Sequence, residues 1–222
     1  MAAGVPVDGH GCGVAVEPRT ALEQAVRKDR AGVVRVLAAA GADLGQRVGD
    51  HGETSPLCLA AMLGRTTVAE ALLDSGADPD GRDRIRQLPL ILAATSTWQG
   101  YPRTVGLLLR HGADIEGTMR SLTALEWAAG FGQAPMVRLL LDRGASAVDG
   151  ALARARASGL GRRFPERRGV YGRVASVLEE AADGRITSQP SPSRPRSSSM
   201  YSCAIPPARV NQSVSTAISS GE

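Results

Sequence analysis

The chain has 222 residues and a formal net charge of +4, with 43% hydrophobic residues but only 3% aromatic ones. That is room for one domain and a tail, with a core built from aliphatic side chains. Three distant cysteines, Cys12, Cys58 and Cys203, imply no disulfide framework and fit a reducing compartment; no apolar run approaches the roughly 18 residues of a membrane span, and residues 1–19 lack the apolar stretch of a signal peptide.

Taken in chain order, residues 1–19 are rich in Gly and Val, and their HGCG contains His10 and Cys12 without further ligands at metal spacing, so they read as a flexible leader. From Thr20 the pattern becomes helical. Thr20 has the character of an N-cap, with Glu23 at the capping-box spacing, and the first helix is the most polar of its kind, as suits an end unit. Ser55 to Asp78 gives two short helices: Pro56 opens the first and Gly64 ends it, while Val68, Ala69, Leu72 and Leu73 set the period of the second before Gly76 stops it. A third pair runs from Leu88 to Asp114 and a fourth from Thr123 to Ser146. Ala151, Leu152, Ala155 and Gly159 fit another first helix, and Arg173, Val174, Val177 and Leu178 another second helix, separated by the long basic stretch GRRFPERRGVYG. From Gly184 the composition turns to Ser, Pro and Arg with no helical period, the signature of a disordered tail.

The units start at Thr20, Ser55, Leu88 and Thr123, a spacing of 33–35 residues, and close on Gly41-Ala42-Asp43, Gly76-Ala77-Asp78, Gly112-Ala113-Asp114 and Gly144-Ala145-Ser146. A period near 33 with a T-P-L-H-like opening and a G-A-D close resembles the ankyrin-repeat family. The resemblance covers about Thr20 to Ser146, and more weakly reaches Ala182. It implies an all-α solenoid of stacked helix-turn-helix units with β-hairpin fingers. The expected domain is 20–183, with repeats starting near 20, 55, 88 and 123 and a degenerate cap over 147–183; the leader is 1–19 and the disordered tail 184–222.

The resemblance also assigns the links between units to projecting fingers. Arg82, Arg84 and Arg86 alternate in one of them, so a strand would place them on one side, and Met119 and Arg120 are tip residues of another. Ala21 stands where the family prefers Pro, Asp29 where it prefers Gly, and Cys58 where it has the histidine of T-P-L-H. Unit three carries an insertion of three residues in TSTWQ, with Trp98 in it and Tyr101 just after it. An exposed Trp–Tyr pair there would anchor a contact; the competing reading folds Trp98 back onto the inner helices. Trp127 takes the place of the buried Leu59 and is expected in the core, whereas Phe131, at the end of its helix, is expected on the groove.

No Ser, Cys or His is grouped with partners at a catalytic spacing, no phosphate loop ends in GK[ST], and no C-x-x-C pair occurs. The chain therefore reads as a non-enzymatic protein-interaction module, an adaptor or scaffold, with no cofactor and no metal. Its partner-binding set on the concave face is Arg27, Lys28, Met62, Leu63, Arg84, Arg86, Trp98, Tyr101, Met119, Arg120 and Phe131, a mixture of Arg, Met and aromatics typical of contact patches. The expected partners are proteins with acidic and apolar contact residues; nucleic acid is disfavoured, no membrane span is expected, the chain is expected to be monomeric, and the location is intracellular, cytoplasmic or nuclear. In the tail, Arg194 and Arg196 precede Ser197, Ser198 and Ser199, an arrangement resembling sites of basic-directed kinases. The alternative is a nucleic-acid or chromatin factor acting through the basic loop 161–173 and the tail.

Overall fold

The computed structural model describes Asp8 and residues 19–49, 53–81, 83, 86–159 and 168–184. The expectations for Arg82, Arg84, the arginines of 161–167 and Ser197, Ser198 and Ser199 lie outside these residues. Within them are ten helices in five pairs: α1 (Ala21–Arg27) with α2 (Ala31–Ala39), α3 (Pro56–Met62) with α4 (Thr66–Asp74), α5 (Pro89–Thr95) with α6 (Pro102–Arg110), α7 (Ala124–Gly130) with α8 (Ala134–Asp142), and α9 (Val148–Gly159) with α10 (Arg168–Ala182). None of these is long and apolar enough to cross a membrane.

Local chemistry explains the starts of the inner helices. The hydroxyls of Thr20, Ser55 and Thr123 accept the backbone N–H groups of Glu23, Cys58 and Glu126, and Pro56 and Pro89 occupy the first helical position. At Thr123 the Glu126 carboxylate returns the bond to the Thr123 N–H, completing a capping box. In α1 Glu23 instead turns to Arg27 and Arg19, so only half of the expected box forms there. The helices α1, α3 and α7 each give way to a residue of positive φ, Asp29, Gly64 and Gly132, and in unit three the corresponding residue, Gly100, comes after the inserted residues that follow α5. Asp29 holds this conformation in place of the usual glycine.

Seven-residue helices are too short to persist alone, and the pairs stack. The inner helices α1, α3, α5, α7 and α9 lie in one row, and α2 on α4, α4 on α6 and α8 on α10 in the other. The continuous core between the rows is aliphatic, from Val26 and Val34 through Leu59, Leu72, Ile91, Leu108, Leu125 and Leu140 to Leu178, and Ala60, Ala61, Ala93, Ala94, Ala128 and Ala129 are fully buried where inner helices meet. The fold is thus an all-α solenoid of paired helices. Two of its fingers are closed by single antiparallel bridges, Val48 with Thr54 and Met119 with Leu122, and no strand ladder forms among the described residues.

Register between units is set at the turns. The residue preceding each outer helix reaches back over the previous unit: an Arg65 guanidinium nitrogen donates to the Arg27 carbonyl at 3.4 Å, the Tyr101 ring lies over Gly64, and the Gln133 amide donates to the Thr97 carbonyl at 2.7 Å. The last unit repeats this with Val170 and Tyr171 packed on Gly132. That packing corrects the extent of the long basic loop: α10 begins at Arg168 and takes Gly169 to Gly172 into the helix, tertiary contact overriding the poor helix propensity of two glycines. At the finger side, the Asp80 carboxylate accepts the Asp114 N–H at 2.8 Å, and the Glu116 carboxylate the Ser146 N–H at 2.6 Å.

Gly100 tests this account of the turns. Its φ is +67°, and an added Cβ would lie 2.4 Å from the Ala94 carbonyl oxygen, which is backbone and cannot swing away. Gly100→Ala should lower unfolding stability by at least about 2 kcal/mol, from left-handed strain plus overpacking, measured by the urea midpoint.

Candidate functional site

The inserted residues of unit three position the most exposed large ring of the described chain. In units one, two and four the residue after the turn donates its N–H to a buried alanine of the inner helix: Arg30 to Ala25, Arg65 to Ala60 and Gln133 to Ala128. In unit three Tyr101 donates to Ala93, the equivalent alanine, at 2.7 Å, although three more residues intervene. The closure is therefore kept and Thr97, Trp98 and Gln99 are extruded. Thr97 is tied at the base of the loop to Gly100 and to Gln133, and Trp98 at its tip is 77% exposed. Trp98 does not fold back onto the inner helices.

Trp98 borders a groove of about 960 Å³ whose floor and walls come from α8 and α10, including Pro135, Leu139, Val170 and Val177, with Phe131 on the same rim. Arg138 faces Glu180 across it at 3.9 Å. Gln133 forms part of the wall: its side chain is 3% exposed, its amide nitrogen is committed to Thr97, and its Oε1 is buried with no hydrogen-bond partner. The groove thus has partly apolar walls that also carry Arg138, Asp142, Arg173 and Glu180, two rings at the rim and one buried acceptor.

Phe131 continues the surface onto the inner helices. Its ring stacks on Trp127, with centroids 5.8 Å apart and planes at 20°, and the Arg154 guanidinium of α9 lies over Trp127 at 5.9 Å. Trp127 Nε1 donates to the Met119 carbonyl at 3.1 Å. Met119, Trp127, Phe131 and Trp98 therefore form one strip from finger to groove. Trp127 was expected in the core like Leu59; it is half-buried, because its indole extends along the inner face to meet the finger and Phe131. Neither Trp127 nor Arg154 belonged to the sequence-derived set, although the i, i+4 spacing of Trp127 and Phe131 was visible.

The remaining expected residues are dispersed. Arg120 and Ser121 form the tip of the fourth finger with φ of 53° and 62°, closed by paired Met119–Leu122 bonds of 2.9 and 3.2 Å. Two consecutive left-handed non-glycine residues are costly and mark a tip held by its surroundings. Arg86 is exposed, but its φ of 62° breaks the strand expected to align it with its neighbours. Lys28 is exposed and Met62 is 38% exposed, whereas Arg27 is bonded to Glu23 at 2.8 Å. Leu63 is half-buried against the core, and Tyr101 is taken up by Gly64, away from Trp98.

Cys58 is fully buried, with its thiol 3.7 Å from the carbonyls of Gly81 and Gln87 across the neighbouring finger. Burial pushes its pKa from 9.0 up to about 12, with the Asp83 carboxylate acting in the same direction and the Ser55 hydroxyl opposing. It is a structural thiol and no nucleophile. Among the described residues no three His, Cys, Asp or Glu side chains converge as a metal site.

Comparison with known proteins agrees with this architecture. Residues 57–150 match the family of ankyrin repeats, in three copies. The chain is 32% identical over 128 residues to the transient receptor potential cation channel subfamily A member 1 homolog of Caenorhabditis elegans, an alignment covering 58% of this chain and 10% of that protein.

Two outcomes follow from the geometry. Ser121→Gly should raise stability by about 0.5–1 kcal/mol in urea unfolding, because relief of left-handed strain exceeds the entropy cost of glycine. For Cys58, the unfolded thiol ionises above its ordinary 9.0 while the folded one stays protonated to about 12. In that window the folded state holds more protons, so stability falls as pH rises, by about 1.4 kcal/mol per unit. Cys58→Ala should remove this component, read as the difference in slope of unfolding free energy between pH 9 and 10.5, values chosen on the order of the ordinary thiol range.

Proposed function

We propose, because residues 57–150 match the ankyrin repeats and such repeats generally serve protein–protein interaction, that this chain is a non-enzymatic adaptor or scaffold that binds a partner protein along the strip Met119, Trp127, Phe131 and Trp98. The carrying observation is the extruded Trp98, 77% exposed beside an apolar groove on a rigid stack of helices. A large ring presented on a fixed loop buries much area at little entropic cost when a partner covers it. Arg154 and Arg120 flank the strip and favour a partner with acidic as well as apolar contact residues. The unpaired Oε1 of Gln133 favours a partner that brings an N–H or O–H donor to the groove. Phosphorylation at Ser197, Ser198 or Ser199 would invert the local charge of the tail and serve as its regulation.

The test is affinity purification from the source cell with the intact chain, a 1–183 truncation and the Trp98→Ala/Phe131→Ala double variant. Trp98→Ala should leave the unfolding midpoint almost unchanged, within about 0.5 kcal/mol as for other exposed sites. The double variant should weaken the partner by about 2 kcal/mol or more, measured by calorimetry once the partner is in hand. A partner retained by the double variant and lost with the truncation transfers the function to the tail. A loss of stability of about 3–5 kcal/mol for Trp98→Ala, the range of buried aromatic truncations, shows that the ring is structural.

A further inference from the structure

The outer helices α2, α4, α6 and α8 can be compared position by position. Their fifth residues are Arg35, Glu70, Gly106 and Arg138. In two of them the side chain crosses to a carboxylate toward the end of the next outer helix: Arg35 reaches Asp74 at 4.0 Å, and Arg138 reaches Glu180 at 3.9 Å. Unit three inverts this arrangement. Gly106 is buried and has no side chain, and the group that comes over it from the next unit is the guanidinium of Arg143, the residue that caps α8. Both terminal nitrogens of Arg143 lie 3.5 Å from the point a Cβ of residue 106 would occupy, and a terminal nitrogen of Arg110, one turn further along α6, lies 3.8 Å from the same point.

Two guanidinium groups from two units thus converge over one glycine. They stand at most about 7 Å apart, a separation that one phosphate group bridges by accepting an N–H···O bond of about 2.8 Å on each side. Arg110 and Arg103, the latter one turn before Gly106, are exposed and have no ion-pair partner among the described residues. The surroundings set the size of the ligand. Asp74 at the end of α4 faces Arg35 at 4.0 Å and His111 at 3.9 Å, Glu70 is exposed on α4, and Asp142, next to Arg143, lines the groove shared with α10. The positive spot is therefore small and bordered by acids. A single dianion fits it, whereas a polyanion or an anionic membrane, with its charges closely repeated, would run onto Asp74 and Glu70. On an exposed surface a free ion meets only the clamp, while a protein-borne phosphate brings contacts of its own chain.

We propose that Arg110 and Arg143, over Gly106, bind the phosphate monoester of a phosphorylated segment of a partner protein through guanidinium N–H···O bonds. The site is separate from the strip of Met119, Trp127, Phe131 and Trp98 and does not depend on it. The test is capture by the immobilised full chain of a degenerate nonapeptide library with a central phosphoserine, against the same library with serine. Phosphopeptides should be enriched on the order of tenfold or more, and Arg110→Gln and Arg143→Gln should each cut that enrichment on the order of tenfold, by removing charge-assisted bonds. Gly106→Glu gives a second kind of variant. Its carboxylate would sit beneath both guanidiniums, so the enrichment should vanish while the urea midpoint holds or rises, glutamate being the better helix former. Trp98→Ala/Phe131→Ala should leave the enrichment unchanged. Equal capture of the two libraries, or enrichment that survives both Gln variants, overturns the proposal. So does inorganic phosphate that binds these arginines as tightly as the most enriched peptide, followed by their side-chain Nε–H signals, since the free ion is then the ligand. A single-stranded oligonucleotide that displaces the peptides at about 0.15 M salt overturns it in favour of nucleic acid.

Discussion

Everything in this stack depends on the contact that each turn offers to the unit after it. A pair of two-turn helices is marginal alone, so what holds the array is the repeated reach of an outer-helix residue over the preceding turn: Arg65 to Arg27, Tyr101 over Gly64, Gln133 to Thr97, and Tyr171 over Gly132. The chemistry differs at every step, an ionic donor, a ring, an amide and a ring again. What is common is geometry. A residue of positive φ brings the chain back under the next helix, and the following side chain has one direction in which to go. Stability of this kind is close to a sum over neighbouring interfaces.

The same constraint explains where novelty is tolerated. Three extra residues in unit three do not disturb the interface, because the Tyr101 N–H still reaches Ala93 and the loop is pushed outward. Extrusion and exposure of Trp98 are one event. The next unit then grips the loop from below through Gln133, so the ring stands on a fixed base. At the opposite end of the same inner helices, the finger of unit four is drawn in by the indole of Trp127, whose N–H takes the Met119 carbonyl. That bond, together with the Met119–Leu122 bridge, holds Arg120 and Ser121 in a conformation their side chains resist.

The periodic part of this was legible in the sequence. The 33–35 residue spacing, the Thr and Ser caps, the prolines at first helical positions and the small alanines between inner helices are local signals, and the helices follow them. The three-residue insertion was legible by counting. The fate of its ring was not, since exposure depends on whether the backbone closure survives. Tyr101 and Trp127 were misjudged for a related reason: ring positions are decided by what the neighbouring unit leaves open, a glycine at 64 for one and a finger carbonyl for the other. The start of α10 was hidden by Gly169 and Gly172, whose weak propensity is overridden by Val170 and Tyr171 on Gly132. Arg86 read as part of a strand because alternation is a strand signal, but a finger closed by so few bonds has no ladder to enforce it.

The two edges of the stack solve one problem differently. A terminal helix pair must bury one face and wet the other. At the far edge α10 is 15 residues long; its exposed Glu179 is bonded to Arg156 of α9 at 2.9 Å, and its apolar residues Val174, Val177 and Leu178 are buried. At the near edge the polarity is in α1, where Gln24 and Lys28 are exposed, while α2 keeps valines at the positions of an internal unit. The near edge is thus built as an interior repeat in its outer helix and as a terminal repeat in its inner one.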